Sequence, residues 1–284
     1  MMSGIVKKIL AASVLIGMTV ALVSCGGTEK SEKTGATAEN RLEKIKESGK
    51  IVLGTSADYP PYEFHATIDG KDTIVGFDIE IGKEIAKDLG VELEIKDMKF
   101  DGLTAALQAG TIDMAISGMN PTPERQKAVD FSDIYYKAEH GIIIKEENKD
   151  KFKTKDDFSG KKIGVQKGSI QEELALTQMK GAEVKGLGKV PDLVMELISG
   201  NVDAVVMEIP VANANAKANK GLYVIENPNF KLDESEKGSA VAMPKDSKEL
   251  VEAINKTIDR LVKEDKIEKY IVDSNELMQK EQAK

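Results

Sequence analysis

Two segments combine a turn, a helix start and side chains that bind charged groups. In residues 117–125 a buried strand is followed by Gly118, Asn120 and two prolines, and Arg125 stands one turn into the predicted helix. Exposed amides at a helix start attract anions, and a planar guanidinium matches both oxygens of a carboxylate. The segment therefore predicts a carboxylate site with Arg125 as its cation; an unpaired surface arginine beside Glu124 is the alternative.

The second segment, residues 164–171, also predicts strand, turn and helix start, with Ser169 just before the helix. Ser169 can donate to an anion from its hydroxyl and its amide, or act as a plain N-cap, and the two roles are compatible. Further along, Glu208 ends a buried strand that begins near Asp203. Ligands of α/β sheets bind outside the carboxyl ends of strands, so Glu208 is a candidate contact; a solvated loop acid is the alternative.

Composition excludes several other functions. The chain has 284 residues, 41% of them hydrophobic and 31% charged, as expected of a folded globular protein. It lacks a basic patch with interleaved aromatics, a glycine-rich phosphate loop after a strand and a helical His-Glu-x-x-His pattern. His65 and His140 have no ligand-type neighbours in sequence, so both are predicted to be structural or solvent-facing. We expect no nucleic acid partner, no metal and no cofactor.

The first 24 residues have the pattern of a signal peptide. Lys7 and Lys8 precede an apolar run that is too short for a transmembrane span and ends at Cys25. Residues 22–25, Leu-Val-Ser-Cys, resemble a bacterial lipobox, which implies a lipid on Cys25, the only cysteine. The alternative is an ordinary secretory signal. Removal of residues 1–24 leaves 38 basic and 48 acidic residues, a net charge of −10.

A polar tether, residues 25–40, leads into the predicted folded body. Short β-branched or apolar runs predict strands at residues 51–55, 91–95, 114–117, 141–144, 162–165, 202–207 and 239–243. Stretches with helical spacing separate most of them, and residues 248–270 predict an amphipathic packed helical end. Alternating strands and helices predict parallel sheets flanked by helices.

An internal similarity indicates two lobes instead of one large sheet. Residues 103–116 read L-x-x-x-L-x-A-G-T-I-D-x-A-I, and residues 193–206 read L-x-x-x-L-x-S-G-N-V-D-x-V-V. Each copy predicts a helix that ends at a glycine, Gly110 or Gly200, followed by a buried strand. Convergence on a common helix-glycine-strand connection is the alternative.

Residues 76–81, Gly-Phe-Asp-Ile-Glu-Ile, with the apolar positions that follow, resemble the signature of the bacterial family 3 extracellular solute-binding proteins. The resemblance covers about residues 51–270. It implies the α/β, two-lobed, type II periplasmic-binding-protein-like fold, with a mostly parallel sheet in each lobe and two hinge crossovers. Lobe 1 is then residues 41–138 and 240–284, and lobe 2 is residues 139–239.

The resemblance also implies roles for individual residues. Tyr59 and Phe100 correspond to the aromatic rings that sandwich the ligand; a turn tyrosine on its own lobe and core packing are the alternatives. Arg125 corresponds to the residue that binds the ligand carboxylate, Ser169 to a second carboxylate contact, and Glu208 to the acid that receives the ligand ammonium, usually Asp. The remaining implied ligand-binding residues are Ser56, Ser117, Gly118, Asn120, where many relatives have Ser or Thr, and Gln171.

The family's function is import of polar amino acids. We expect a monomeric, non-enzymatic substrate-binding component of an ABC importer, lipid-anchored on the extracytoplasmic face and partnered by a permease and its ATPase. Arginine or lysine is weakly favoured, because Asp58, Glu63 and Asp101 can supply a side-chain acid although Ser56 replaces the Asp of many cation binders. Glutamine and histidine stay open as ligands. The alternatives are a cyclohexadienyl or arogenate-type dehydratase on the same fold and a sensory or adhesive lipoprotein.

Overall fold

The computed structural model describes residues 40–233 and 236–282. The predicted signal peptide, Cys25 and the tether up to residue 39 lie outside these residues. The described α-helices are α1 Arg41–Ser48, α2 Phe77–Leu89, α3 Leu103–Gln108, α4 Pro123–Ala128, α5 Ile170–Gln178, α6 Val190–Ser199, α7 Ile209–Ala218, α8 Lys248–Lys263 and α9 Lys266–Gln282. The described strands are β1 Lys50–Thr55, β2 Asp58–Tyr59, β3 Glu63–Ile68, β4 Lys71–Val75, β5 Glu92–Asp97, β6 Met114–Ala115, β7 Val129–Tyr136, β8 His140–Lys145, β9 Lys162–Gln166, β10 Glu183–Leu187, β11 Ala204–Glu208, β12 Leu222–Ile225 and β13 Ser239–Pro244.

Two five-stranded sheets share one plan. Their strand orders are β5-β1-β6-β13-β7 and β10-β9-β11-β8-β12. In each sheet one strand, β13 or β8, runs antiparallel to both neighbours, and the other pairs are parallel. Four of five strands therefore point the same way, which agrees with the predicted mostly parallel sheets. The strands of the second sheet all lie within residues 140–225. The lobe boundaries at residues 138–139 and 239–240 stay a prediction.

The two copies of the sequence repeat fold alike. Helix α3 is followed by Gly110 at φ 67° and then β6, and α6 ends at Gly200 at φ 77° before β11. These left-handed glycines turn the chain from helix to strand without a Cβ clash. Both sheets are therefore built on the same helix-glycine-strand unit.

An aspartate at the same place in each copy ties its segment to the neighbouring strand. Asp113 accepts from the Val52 amide at 2.9 Å, and Asp203 accepts from the Lys162 amide at 2.8 Å. The amides of Asp113 and Asp203 donate in return to the carbonyls of Val52 and Lys162 at 2.8 and 2.7 Å. These reciprocal bonds align β6 with β1 and β11 with β9.

All seven predicted strands are present, but several others were not predicted. Strands β2, β3 and β4 form a separate antiparallel sheet, and β3 turns into β4 at Asp69 and Gly70, both at positive φ. Such an Asp-Gly pair suits a tight hairpin turn. Strand β7 is interrupted by polar residues, and β10 and β12 are partly exposed edges of the second sheet. Their apolar patterns are therefore weak.

The N-cap of helix α2 is a glycine, Gly76, for a steric reason. Gly76 has φ 126°, and a Cβ there would lie 2.0 Å from the carbonyl oxygen of Tyr62. Only glycine fits this close approach between the helix start and the loop before β3. The helix then buries Ile79, Ile81 and Ile85 on one side, as the sequence pattern predicts.

The C-terminal region is two helices instead of the single amphipathic segment predicted at residues 248–270. Helix α8 ends at Lys263 with Glu264 as its C-cap, Asp265 adopts φ 52°, and α9 continues to residue 282. The buried face of α8 consists of Leu250, Ile254, Thr257, Ile258 and Leu261. No helix in the described part of the chain is both long and apolar enough to span a membrane.

Candidate functional site

The topology brings predicted site residues to the ends of neighbouring strands. The chain moves from β1 to β5 on one side and then to β6 on the other, and from β9 to β10 and then to β11 in the same way. Crevices at such switch points bind ligands in α/β sheets. Ser56 and Ser117 follow β1 and β6, and Ser169 and Glu208 lie at the ends of β9 and β11. The Ser56 amide donates to Ser117 Oγ at 3.1 Å.

Two fully buried carboxyl groups lie beneath the loop after β6. Ser117 Oγ donates to Glu63, while the Gly118 amide and the Tyr135 hydroxyl each donate to Asp78 at 2.8 Å. Burial raises the pKa of Asp78 to about 6 and that of Glu63 well above its usual range. The nearby carboxylate of Asp78 raises the pKa of Glu63 further, after burial. The Ser117 hydroxyl and the Gly118 amide already donate to these buried acids. Their predicted contacts with a ligand stay predictions.

Asp58 in β2 faces the end of β9. Its Oδ1 accepts long hydrogen bonds from Ser56 Oγ at 3.5 Å and Gln166 Nε2 at 3.4 Å, and its Oδ2 has no partner among the described residues. Burial raises the pKa of Asp58 to about 6, although the charge of Lys189 opposes this rise. Asp58 is therefore a buried acid between segments of the two sheets.

The hydroxyl of Tyr59 also joins segments of the two sheets. It accepts hydrogen bonds from the Glu208 amide at 3.1 Å and from Gln171 Nε2 at 3.5 Å. Its ring lies 5.4 Å from the ring of Tyr62, centroid to centroid. Burial, reinforced by the Glu208 carboxylate, raises the pKa of Tyr59 well above its usual range, so the phenol is neutral. Its predicted stacking on a ligand stays a prediction.

Glu208 is a buried acid, so the alternative of a solvated loop acid is wrong. It is 1% exposed, and neither carboxylate oxygen has a hydrogen-bond partner within residues 40–233 and 236–282. Burial raises its pKa to about 8. Tyr62 and Asn120 lie near enough to favour the charged form, but neither makes a hydrogen bond of ordinary geometry with it. The carboxyl group is therefore available to a cation.

Arg125 is held in place, so the alternative of an unpaired surface arginine is also wrong. It lies in the first turn of α4, where Thr122 caps the helix and accepts from the Arg125 amide at 3.3 Å. The guanidinium donates to the carbonyls of Asn120 and Gly168, both at 2.8 Å, and lies 5.2 Å from the centre of the Phe100 ring. Burial lowers its pKa to about 10, so it remains a cation at neutral pH. Its contact with a carboxylate stays a prediction.

Phe100 and Asn120 flank this arginine from two directions. Phe100 is 7% exposed and packs with Leu103 and Leu107, so core packing accounts for part of its surroundings. The Asn120 side chain donates from Nδ2 to the carbonyl of Gly238, just before β13, at 3.1 Å. The structure thus brings both residues to Arg125, while their ligand contacts stay predictions.

Ser169 is the N-cap of α5. Its hydroxyl accepts from the Glu172 amide at 3.2 Å and donates to the Gln166 carbonyl at 2.6 Å. Its second predicted role, contact with a carboxylate, stays a prediction. Two residues later, Gln171 is buried and its Nε2 contacts His140 Nδ1 at 3.2 Å as well as Tyr59.

The two histidines differ. His65 is exposed and pairs with Asp72 at 2.9 Å. His140 is 3% exposed, so the solvent-facing option is wrong for this residue. Burial lowers its pKa to about 4, which keeps the ring neutral near pH 7. Its position at the start of β8, next to the predicted lobe boundary at residue 139, is the sequence signal that could have placed it near the site.

Sequence reasoning also missed a set of buried polar residues around the site. They are Tyr62, Asp78, Tyr135, Gln166 and Ser239. Asp78 belongs to the signature segment at residues 76–81, and the others have no local pattern that separates them from ordinary strand or loop residues. The described residues include no group of three or more His, Cys, Asp or Glu arranged to hold a metal ion.

Two sheets of the same plan, with buried polar groups at their switch points, define the class of two-lobed solute-binding proteins. The chain belongs to the bacterial extracellular solute-binding proteins, family 3, whose family model matches residues 51–273. Its place of action is therefore outside the cytoplasm.

Individual relatives cover nearly the whole chain. The arginine-binding extracellular protein ArtP of Bacillus subtilis is 39% identical over 93% of this chain and 96% of its own length. The amino acid ABC transporter substrate-binding protein AbpA of Streptococcus pneumoniae, bound to L-arginine, is 41% identical, with a TM-score of 0.79 over 83% of this chain and 98% of that one. The ancestral amino acid-binding protein AncCDT-1, a precursor of cyclohexadienyl dehydratase, is 34% identical, with a TM-score of 0.73 over 81% and 99% of the two chains. These similarities confirm the predicted fold class.

Proposed function

We propose that this chain is the substrate-binding component of an ABC importer for amino acids and that it prefers basic amino acids such as arginine and lysine. The names of ArtP and of the arginine-bound AbpA structure support the substrate class. One observation carries the basic preference: four buried carboxylate oxygens lack a hydrogen-bond partner in the described part of the chain. They are Asp58 Oδ2, Glu63 Oε2, Glu208 Oε1 and Glu208 Oε2.

Burial of an acid without a partner is unfavourable, and a cation relieves it. A basic amino acid brings two positive groups, its α-ammonium and its side chain, against one carboxylate. An acidic ligand would bring a second carboxylate against four buried acids, Asp58, Glu63, Asp78 and Glu208, and would make their ionisation still less favourable. Electrostatics therefore favours a ligand with a cationic side chain.

The proposed binding mode is a clamp between lobe 1, residues 41–138 and 240–284, and lobe 2, residues 139–239. Arg125 binds the ligand carboxylate, Glu208 the ammonium, and Tyr59 and Phe100 lie against the side chain. Contacts that form only when the lobes close shift the equilibrium towards the closed form. The chain works as a monomer and is not an enzyme.

The proposal includes delivery to a permease with its ATPase, and a lipid anchor on Cys25. Residues 22–25 support the anchor because they resemble a lipobox. Growth with a labelled fatty acid is expected to label the chain and not its C25S variant. Label retained by C25S would contradict this part of the proposal.

Thermal unfolding of purified protein, freed of carried-over ligand by denaturation and refolding, tests the substrate class. A ligand that binds only the folded state stabilises it by about 2.7 kcal/mol at a hundred times its dissociation constant. We expect the largest shifts with L-arginine and L-lysine and none with L-glutamate or L-aspartate. Shifts confined to neutral amino acids would contradict the basic preference, and no shift with any of the twenty would contradict amino-acid binding.

A second candidate function is a dehydratase that acts on a cyclohexadienyl acid. The favouring observation is Glu208, whose raised pKa of about 8 suits a general acid near neutral pH, together with the similarity to AncCDT-1. Incubation with prephenate or arogenate separates the two functions. Turnover that disappears in E208Q supports the enzyme, and no turnover in a chain that binds arginine supports the transporter component.

A further inference from the structure

We propose that the Tyr59 hydroxyl is a closure contact that holds the two lobes together whichever amino acid is bound, and that His140 positions Gln171 as part of this contact. The inference rests on the proposed lobe division and on amino-acid binding, and it is independent of the preference for basic ligands. It assigns the phenol oxygen a role separate from stacking of its ring.

The first part of the contact is the Glu208 amide. The pairing of β11 with β9 stops at Val205, three residues before the end of β11. The Ile209 amide donates to the backbone carbonyl of Glu139, whereas the Glu208 amide donates to Tyr59 Oη at 3.1 Å. The Tyr59 hydroxyl on β2, near the first sheet, thus accepts the hydrogen bond of a backbone amide at the end of β11 in the second sheet.

The second part is a side-chain relay. Gln171 Nε2 donates to Tyr59 Oη at 3.5 Å and contacts His140 Nδ1 at 3.2 Å. A neutral His140 accepts at Nδ1 and so fixes the orientation of the Gln171 amide. Tyr59, Gln171, His140 and Glu208 are all at most 6% exposed, so water does not compete for these bonds in the closed arrangement.

A neutral hydrogen bond between lobes acts on ligands uniformly. It is made in the closed form and broken in the open form, so its loss lowers the closed fraction by the same factor for each ligand. The apparent affinity then falls without a change in ligand preference, and the fall lies mainly in the dissociation rate.

The variant Y59F tests this role because it keeps the ring and removes only the hydroxyl. Y223F is the matched control, since Tyr223 is 41% exposed on the edge strand β12. Dissociation constants and rates are measured for L-arginine, L-lysine and any other amino acid that shifts the wild-type melting temperature. Because Y59F loses a hydrogen bond and leaves a buried amide unpaired, we expect each affinity to fall by about tenfold. The dissociation rates rise, while Y223F behaves as wild type.

Two further measurements separate closure from folding and from direct ligand contact. Small-angle X-ray scattering at saturating L-arginine is expected to show a larger radius of gyration for Y59F than for wild type, while a cooperative melting transition without ligand shows that the variant is folded. H140L is expected to weaken binding by a smaller uniform factor, and its effect is expected to shrink in the Y59F background because the two residues act through Gln171.

An unchanged affinity in Y59F, or a loss confined to one ligand, would overturn the inference, because the second result would make the hydroxyl a ligand contact. Additive effects of Y59F and H140L would overturn the assignment of His140. A wild-type chain that binds none of the amino acids would contradict the proposed function instead. Scattering from the ligand-free wild-type and Y59F chains would then still test closure, with greater expansion of Y59F as the supporting result and equal size as the contradicting one.

Discussion

Glu208 and His140 face each other across the antiparallel pair of β11 and β8. Burial acts on the two groups in opposite directions, because it raises the pKa of Glu208 to about 8 and lowers that of His140 to about 4. Both are therefore mainly uncharged near pH 7 in this arrangement. Their remaining polar atoms, the Glu208 oxygens and His140 Nε2, lack partners among the described residues.

The stability of the ligand-free protein is expected to fall as the pH rises from 6.5 to 8. Burial raises the pKa of Glu208 from its ordinary 4.5 to about 8 in the fold, so the native state binds more protons than the unfolded state in this range. The free energy of unfolding then falls by at most about 1.4 kcal/mol per pH unit. Urea unfolding at several pH values measures it.

The pH window separates Glu208 from its neighbours. His140 has a pKa of about 4 against 6.5, so it contributes the opposite slope below pH 6.5, and Asp58 and Asp78 titrate near 6. E208Q is therefore expected to make the fall between pH 6.5 and 8 smaller, while Glu63, whose pKa burial also raises, keeps its own contribution in both chains. An equal slope in wild type and E208Q would contradict the assignment.

Binding of L-arginine at pH 7 is expected to release protons. A ligand ammonium beside Glu208 favours the carboxylate and returns its pKa towards the usual range. Calorimetry in two buffers with different ionisation enthalpies measures the number of protons released. E208Q, which cannot ionise, is expected to release fewer, and equal release by both chains would place the titrating group elsewhere.

The variant R125A is expected to abolish detectable amino-acid binding. It removes the cation proposed for the ligand carboxylate, which a neutral side chain does not replace. Isothermal titration with L-arginine measures the loss. K127A is the matched control, because Lys127 is an exposed cation on the same helix, and unchanged affinity in R125A would contradict the assigned role.

Replacement of Gly76 by alanine is expected to destabilise the fold severely. The new Cβ would lie 2.0 Å from the Tyr62 carbonyl at a φ of 126°, so the loop before β3 and the start of α2 must separate. Gly90 at the end of α2 also has positive φ but meets nothing within 4 Å. G90A is therefore expected to cost about 1 kcal/mol, and equal denaturation midpoints for the two variants would contradict this account.

The variants D113A and D203A are expected to destabilise the two sheets unequally. Each removes the acceptor of one backbone amide, a loss of about 1 kcal/mol. D113A is expected to cost more, because Val52 is buried and Arg41 also lies 3.6 Å from Asp113. Urea denaturation of both variants measures the difference, and a larger effect of D203A would contradict the comparison.

Local patterns were enough for the elements that position the site. The spacing of Ile79, Ile81 and Ile85 predicted α2, and the helix-glycine-strand repeat predicted the shared unit of the two sheets. These patterns succeed because helix and strand periods are set by neighbours within a few residues. The edge strands β10 and β12 were not predicted, because partly exposed strands lack a continuous apolar pattern.

The sequence by itself determined the family, the alternation of strands and helices and the positions of Arg125 and Glu208 near helix starts and strand ends. Only the tertiary structure decided which groups meet. Tyr59 contacts residues 112 and 149 positions later in the chain, and no local pattern encodes such a pairing. Burial likewise decided the charge states of Glu208 and His140, because a pKa depends on the whole surroundings of a group and not on its neighbours in sequence.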